Sequence, residues 1–160
     1  MLHIFTDGAC TNNGKKLAKA AYSVVFWNIE NAPPIGMAQK VPPEELQTNQ
    51  RAELRGLSLA FDEIRSRHLS CPITIWTDSE YGRKCITEWG PQWKVRGWNR
   101  ANNKGKPLEH LDLLKPMIDF YEVSQHFIII RHVKAHTNKR EFPYCGNEMA
   151  DKLATEECLK

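Results

Sequence analysis

The sequence predicts an α/β domain built on a mixed sheet. Three observations carry this reading. Short runs rich in β-branched and aromatic residues alternate with segments of helical period. The first three such runs are separated only by turns, which suits an antiparallel meander, whereas helical stretches separate the last two, which suits parallel pairing. The length of 160 residues, 41% hydrophobic and 26% charged, is enough for one core.

Leu2 to Asp7 (LHIFTD) reads as the first strand, followed by the turn-rich segment GACTNNG. Ala20 to Ile29 is the second strand, and Ile35 to Val41, after Pro33-Pro34, the third. Pro42-Pro43 marks a loop. Thr48-Asn49 then starts a helix in which Leu54, Leu57, Phe61 and Ile64 recur at helical spacing, to about His68. Pro72 to Asp78 is a strand. Ser79 caps a helix running to Trp89, where Gly90-Pro91 breaks it, and a short helix follows over Gln92 to Arg96. Gly97 to Pro107 reads as a loop. Leu108 to Val123 is helical, with Pro116 as a kink or break. Phe127 to Val133 (FIIIRHV) is a continuous apolar run that suits a strand covered on both faces. A last helix spans about Gly146 to Leu159. The order is βββαβαααβα, three antiparallel strands then two parallel, flanked by helices.

Composition excludes several classes. The N-terminus lacks the basic start and apolar run of a signal peptide, and no apolar stretch is long enough to cross a membrane. The five cysteines, Cys10, Cys71, Cys85, Cys145 and Cys158, are odd in number and include no CxxC pair. Free thiols in the cytoplasm or another reducing compartment are expected, rather than a disulfide framework or a zinc site. The net charge of +3 is mild.

The chemistry-bearing residues are acids. Asp7 and Asp78 close two strands in nearly matching phrases, FTDG and WTDS. Acids at carboxyl ends of strands lie where α/β sheets form sites. Glu53 and Asp151 border the apolar faces of their helices. Each alone reads as a surface carboxylate; the joint pattern points to metal binding. Carboxylates converging on one point repel unless cations neutralise them, and oxygen-only ligands favour Mg²⁺ or Mn²⁺. Two such ions about 4 Å apart can activate a water and stabilise the leaving oxygen of a phosphodiester.

Four phrases, TDGAC at 6–10, TNQRAEL at 48–54, TDSEY at 77–81 and GNEMADKLA at 146–154, resemble the type 1 ribonuclease H family, in the family's order and over essentially the whole chain. The resemblance implies a ribonuclease H-like fold with a five-stranded sheet. It implies a metal-dependent endonuclease cutting the RNA strand of RNA–DNA hybrids and leaving 5′-phosphate and 3′-hydroxyl ends. It places two Mg²⁺ ions, with Mn²⁺ as substitute, on Asp7, Glu53, Asp78 and Asp151. His136, in VKAHT, matches the family's loop histidine, which assists proton transfer or product release. Cys10, Asn13, Asn49 and Gln50 match positions that read 2′-hydroxyls of RNA in the minor groove. Thr48 matches a grip on a DNA-strand phosphate. The other histidines, His110 among them, are taken as structural or surface.

The segment from Trp93 to Pro107 holds five basic residues, no acid and two tryptophans. Basic residues among aromatics suit a nucleic-acid backbone. It resembles the basic handle of cellular members, here about 90–107, and Trp89, Lys94, Arg96, Trp98 and Arg100 are expected to contact the DNA strand. The whole of 1–160 is read as one catalytic domain, a monomer, without a separate hybrid-binding domain.

Three features depart from the family pattern. Glu80 stands where an amide commonly contacts RNA, so it is expected either to weaken that contact or to join the metal cluster. Ala135 replaces a glycine in the histidine motif. The stretch 138–145 lengthens the loop before Asp151, and Lys139 and Arg140 there are read as reaching substrate or as solvated. The alternatives are a reverse-transcriptase-associated domain, a nuclease acting on DNA, or an inert hybrid-binding module. The last needs one of the four acids to be lost, and all are present. A zinc protein built on His132, His136 and Cys145 lacks regular ligand spacing.

Overall fold

A computed structural model describes residues 1–30, 32–99 and 108–160. It contains strands β1 (Leu2–Thr11), β2 (Lys19–Trp27), β3 (Ile35–Lys40), β4 (Ile73–Thr77) and β5 (Ile128–His132). The helices are α1 (Asn49–Ser66), α2 (Glu80–Lys84), α3 (Gly90–Val95), α4 (Leu111–Ser124) and α5 (Tyr144–Cys158). One sheet has the order β3-β2-β1-β4-β5. β1 pairs antiparallel with β2, and β2 with β3, while β4 lies parallel to β1 and to β5. The expected five-stranded mixed sheet is the one observed.

Helices cover the sheet unequally. On one face Ile4 and Val24 pack with Leu54, Leu57, Phe61 and Ile64 of α1 and with Leu114 and Ile118 of α4. On the other, Phe5 and Val25 pack with Ala150 of α5. The odd-even alternation of β1 therefore feeds two cores. α5 packs across β1, β2 and β3. This corrects the reading of β5 as covered on both faces. Ile128 and Ile130 are buried, but Ile129 is 49% exposed, because β5 is an edge strand on the side away from α5. An apolar run cannot by itself tell a doubly covered strand from one at an edge.

Three further expectations change. β1 does not end at Asp7: its antiparallel pairing with β2 continues to Thr11↔Lys19, so GACT is strand. Gly90-Pro91 does not stop the chain. A π-helical turn over Cys85–Trp89 joins α2 to α3, and helical backbone runs from Glu80 to Val95. A Cβ on Gly90 would sit 2.4 Å from Ile118 Cδ1, so Gly90 lets α4 come close rather than breaking the helix. Pro116 lies inside α4, and the burial of Leu113, Leu114, Met117 and Ile118 around it offsets the lost hydrogen bond.

The contact that positions everything downstream is that of α1 on β1. A Cβ on Gly8 would lie 2.4 Å from Ala52 C and Glu53 N, both backbone atoms. One on Gly56 would lie 3.0 Å from Asp7 O. Only hydrogen at these α-carbons permits the approach. Thr48 caps α1, its Oγ1 accepting from Arg51 N–H at 3.1 Å. Gly8→Ala should therefore force α1 away from β1 and cost about 1–3 kcal/mol. Thermal denaturation should read this as a fall in Tm of about 3–10 °C; an unchanged Tm would show that the helix can shift freely.

Candidate active site

Asp7 and Asp78 become neighbours through strand register. The parallel pairing of β1 with β4 ends at Thr6↔Thr77, and the next residue of each strand is an aspartate. Asp7 thus lies at the carboxyl edge of the parallel half of the sheet, although its own strand continues. α1, held against Gly8, brings Glu53 to the same point. Ligand oxygens of Asp7, Glu53 and Asp78 all lie within 4.8 Å of one another. Both Asp7 carboxylate oxygens and Glu53 Oε2 are buried with no hydrogen-bond donor. Asp7 is only 1% exposed.

Asp151 approaches from the other side. Ser23 Oγ–H donates to Ala150 O at 2.6 Å, and Cys158 Sγ–H to Ala9 O at 3.2 Å, tying α5 to the sheet at two heights. Asp151 lines a cleft of about 300 Å³ with Asp7, Glu53, Asp78, Cys10, Asn49 and His136. Its carboxylate stands outside the tight trio, on the wall.

Burial dominates the electrostatics. Desolvation, then the charge of Asp78, pushes the Asp7 carboxyl up to about 9. Desolvation also raises Glu53, reinforced by the charges of Asp7 and Asp78, and it raises Asp78. Hard oxygens, clustered, desolvated and without donors, are the chemistry of a site for a divalent cation such as Mg²⁺. The residues present fit such an ion.

The remaining expected residues are placed unevenly. His136, exposed and at φ 54°, stands at the cleft rim, where its positive form favours ionised Asp78. Cys10 and Asn49 line the cleft, and Asn13 Oδ1 accepts from Asn49 N–H at 3.2 Å. Glu80 does not join the cluster. Arg83 Nε donates to it at 2.6 Å and His132 lies 3.5 Å away, which draws its carboxylate toward α2 and β5. Trp89 and Trp93 lie with ring centroids 6.3 Å apart, and Lys84 lies 5.9 Å from the centroid of Trp89. Lys94 donates to Asp119 and Glu122 at 2.8 Å, so its charge is engaged by α4. Arg96 is exposed at the end of α3, and Trp98 packs against the main core with Lys115 5.1 Å from its ring centroid. Arg100 lies outside the described residues.

His110, read from the sequence as structural or surface, is structural, and its partners were not legible there. Arg51, a donor only, contacts His110 Nδ1 at 3.2 Å, so that nitrogen accepts. Nε2 then carries the proton and donates to Gln50 Oε1, also at 3.2 Å. The same Arg51 forms a bidentate pair with Asp112, at 2.8 and 2.5 Å, and meets Glu45 at 2.8 Å through Nε. Gln50 is thereby oriented from a residue 60 positions away, which no local motif signals. Thr155 also lines the acidic cleft; its place one turn after Asp151 on α5 was the available clue.

Comparison with known proteins follows the same lines. A family model described as RNase H matches residues 1–159. A ribonuclease H of Vibrio vulnificus (strain YJ016) is 34% identical over 155 residues, covering 96% of this chain and 86% of that protein. A ribonuclease H of Schizosaccharomyces pombe is 34% identical over 151 residues, covering 94% of this chain and 50% of that protein, so the chain spans half of that relative's length. The foamy viral protease-reverse transcriptase in complex with RNA/DNA hybrid superposes with a TM-score of 0.77 at 26% identity, covering 98% of this chain and 20% of that one.

The buried acids carry a consequence for stability. Between its ordinary value and about 9, the folded Asp7 holds a proton that the unfolded chain has lost, so stability falls as pH rises. Metal-free protein should lose about 1.4 kcal/mol per pH unit at most from this group between pH 7 and 9, or about 3–6 °C in Tm. Asp7→Asn should flatten that slope, and millimolar Mg²⁺ should do so in the unaltered protein. Parallel slopes for the variant and the unaltered protein, compared by thermal melts in EDTA, would refute the raised carboxyl.

Proposed function

Because the chain belongs to the RNase H family, we propose that it is a metal-dependent endonuclease that hydrolyses the RNA strand of RNA–DNA hybrids, leaving 5′-phosphate and 3′-hydroxyl ends. The observation that carries this reading is the trio of buried and half-buried carboxylates, within 4.8 Å of one another, with the Asp7 oxygens and Glu53 Oε2 without donors, opening on a cleft. The hybrid bound by the foamy viral relative supports the substrate.

Asp7, Glu53 and Asp78 would hold two Mg²⁺ ions, with Mn²⁺ as substitute, and Asp151 would complete the set from the cleft wall. Such ions supply an activated water and charge stabilisation at the leaving oxygen. The chain's own residues do the rest. The β1–β4 register and the α1 contact hold the acids rigidly, so little reorganisation is needed when charge develops. His136, exposed on its loop beside Asp78, takes up or delivers a proton at the cut phosphate and eases product release.

Substrate contacts follow from the rim. Asn49, Asn13 and Cys10 form one edge of the cleft, where amides suit 2′-hydroxyls because they donate and accept. Gln50, held through its oxygen by His110, presents its NH₂ as donor. Thr48 contacts a DNA-strand phosphate beside them. Trp89, Arg96 and Trp98 receive the DNA strand, together with Arg100, and Lys94 joins them by exchanging its acids on α4 for phosphate. Glu80, paired with Arg83 and His132, adds a repulsive edge rather than a ligand. The five cysteines are free thiols, and among the described residues no helix is long and apolar enough to cross a membrane. We read the protein as a monomer in a reducing compartment.

Cleavage of a labelled RNA–DNA hybrid should require Mg²⁺ and stop in EDTA, and Asp78→Asn should lower kcat at least about 100-fold. Full activity in either condition would sink the metal reading, and preferential cutting of duplex DNA would sink the substrate. His136→Ala should lower kcat about 100-fold while Mg²⁺ affinity, followed by calorimetry, stays within about twofold. Unchanged turnover would remove His136 from the reaction.

A further inference from the structure

A second cleft, of about 520 Å³, opens beside the acidic one. The two share His136 and Asp151, so they are continuous at the reacting point. The second extends away from Cys10, Asn49 and Glu53, between the 134–140 loop and the first turns of α5.

Its wall is unlike the rest of the surface near the site. Lys134, Lys139 and Arg140 line it, all exposed, within seven residues of chain. None forms an ion pair among the described residues; Lys139 Nζ lies 5.0 Å from the centroid of the Tyr144 ring instead. Three other cations, by contrast, are paired with acids: Arg51 with Glu45 and Asp112, Arg83 with Glu80, and Lys94 with Asp119 and Glu122. The acids of this wall, Glu148 and Asp151, belong to α5, whereas the cations belong to the loop.

Two features point to a sugar-phosphate ligand rather than to solvation. α5 starts at this cleft with Tyr144; no side chain caps its N-terminus, and since Cys145 and Gly146 N–H donate to Glu141 O and Pro143 O, what it offers this space is the positive end of the helix dipole rather than a set of free donors. Asn147, 5% exposed, also lines the cleft, and its buried Oδ1 has no donor. Cations and a helix N-terminus suit phosphate; an orphaned amide oxygen suits a hydroxyl that donates. A ribose-phosphate backbone offers both.

We propose that this cleft is a second subsite for the RNA strand, in which Lys134, Lys139 and Arg140 hold phosphates beyond the one that is cut and Asn147 meets an adjacent ribose hydroxyl. Assignment to the RNA strand rests on the reading of the acidic cleft as the place where RNA is cut. The subsite draws that strand across a cluster of acids that would otherwise repel it. It lies on the side of the acids away from Asn49, so the strand is gripped on both sides of the cut.

The test compares the unaltered chain with Lys134→Ala/Lys139→Ala/Arg140→Ala and with the milder Lys139→Gln/Arg140→Gln. Binding of a fluorescent RNA–DNA hybrid is followed by anisotropy in Ca²⁺, across a salt series. The triple variant should bind about 10–100-fold more weakly near 0.1 M salt, with a slope of log K on log salt smaller by about 2–3, and the double variant by about 1–2. Both should keep the Tm of the unaltered chain, since these side chains are exposed. KM should rise with kcat within about twofold. Methylphosphonates placed singly along the RNA strand should weaken binding to the unaltered chain at one or two positions on one side of the cut, and have no effect there on the triple variant. An unchanged salt slope, or a methylphosphonate penalty that persists in the variant or falls only on the DNA strand, overturns the proposal. The binding arms do not depend on cleavage, so a chain that fails to cut hybrids would refute the proposed function and leave these readouts standing.

Discussion

The contact on which the rest of the site depends is the seating of α1 on β1 at Gly8 and Gly56. There the helix backbone comes within the space a methyl group would need. That closeness puts Glu53 against the strand edge, where the β1–β4 register has already set Asp7 beside Asp78. Two backbone facts, one steric and one of register, bring together groups that electrostatics alone would drive apart. The cost of burying them is held by the packing of Leu54, Leu57, Phe61 and Ile64 beneath the helix.

Charge around this centre is sorted rather than merely balanced. Arg51, the most buried of the cations among the described residues, is tied to Glu45 and Asp112. That pairing also locks α1 to the start of α4, and through His110 it fixes the amide of Gln50 at the rim. The Arg51 guanidinium holds the Asp112 carboxyl below its usual range, so the lock stays ionised at neutral pH. By contrast, the cations of the loop that carries His136 form no ion pair among the described residues. Paired and unpaired cations are thus separated on the two sides of the acids.

Local pattern reached most elements because the signals were local. Helical spacing in α1, the caps at Thr48 and Ser79 and the β-rich runs each depend on a few neighbours. The misreadings arose where a distant element decides. Gly90 looks like a breaker until Ile118 of α4 fills the space beside it. Ile129 looks buried until the sheet order leaves β5 at an edge. Glu80 looked available to the cluster, but Arg83 and His132 hold it elsewhere.

By itself the sequence singled out four acids, in phrases whose spacing suits strand ends and helix faces, and three of them close to within ligand distance. Only the tertiary structure decided how they are placed, with Asp7 nearly sealed from water and Asp151 on the cleft wall. It alone decided that His110 orients Gln50 and that Lys134, Lys139 and Arg140 line a cleft continuous with the acids. Residue type and spacing are properties of short segments, whereas burial and pairing depend on which surfaces meet. Those meetings are set by register and by the closest approach the backbones allow.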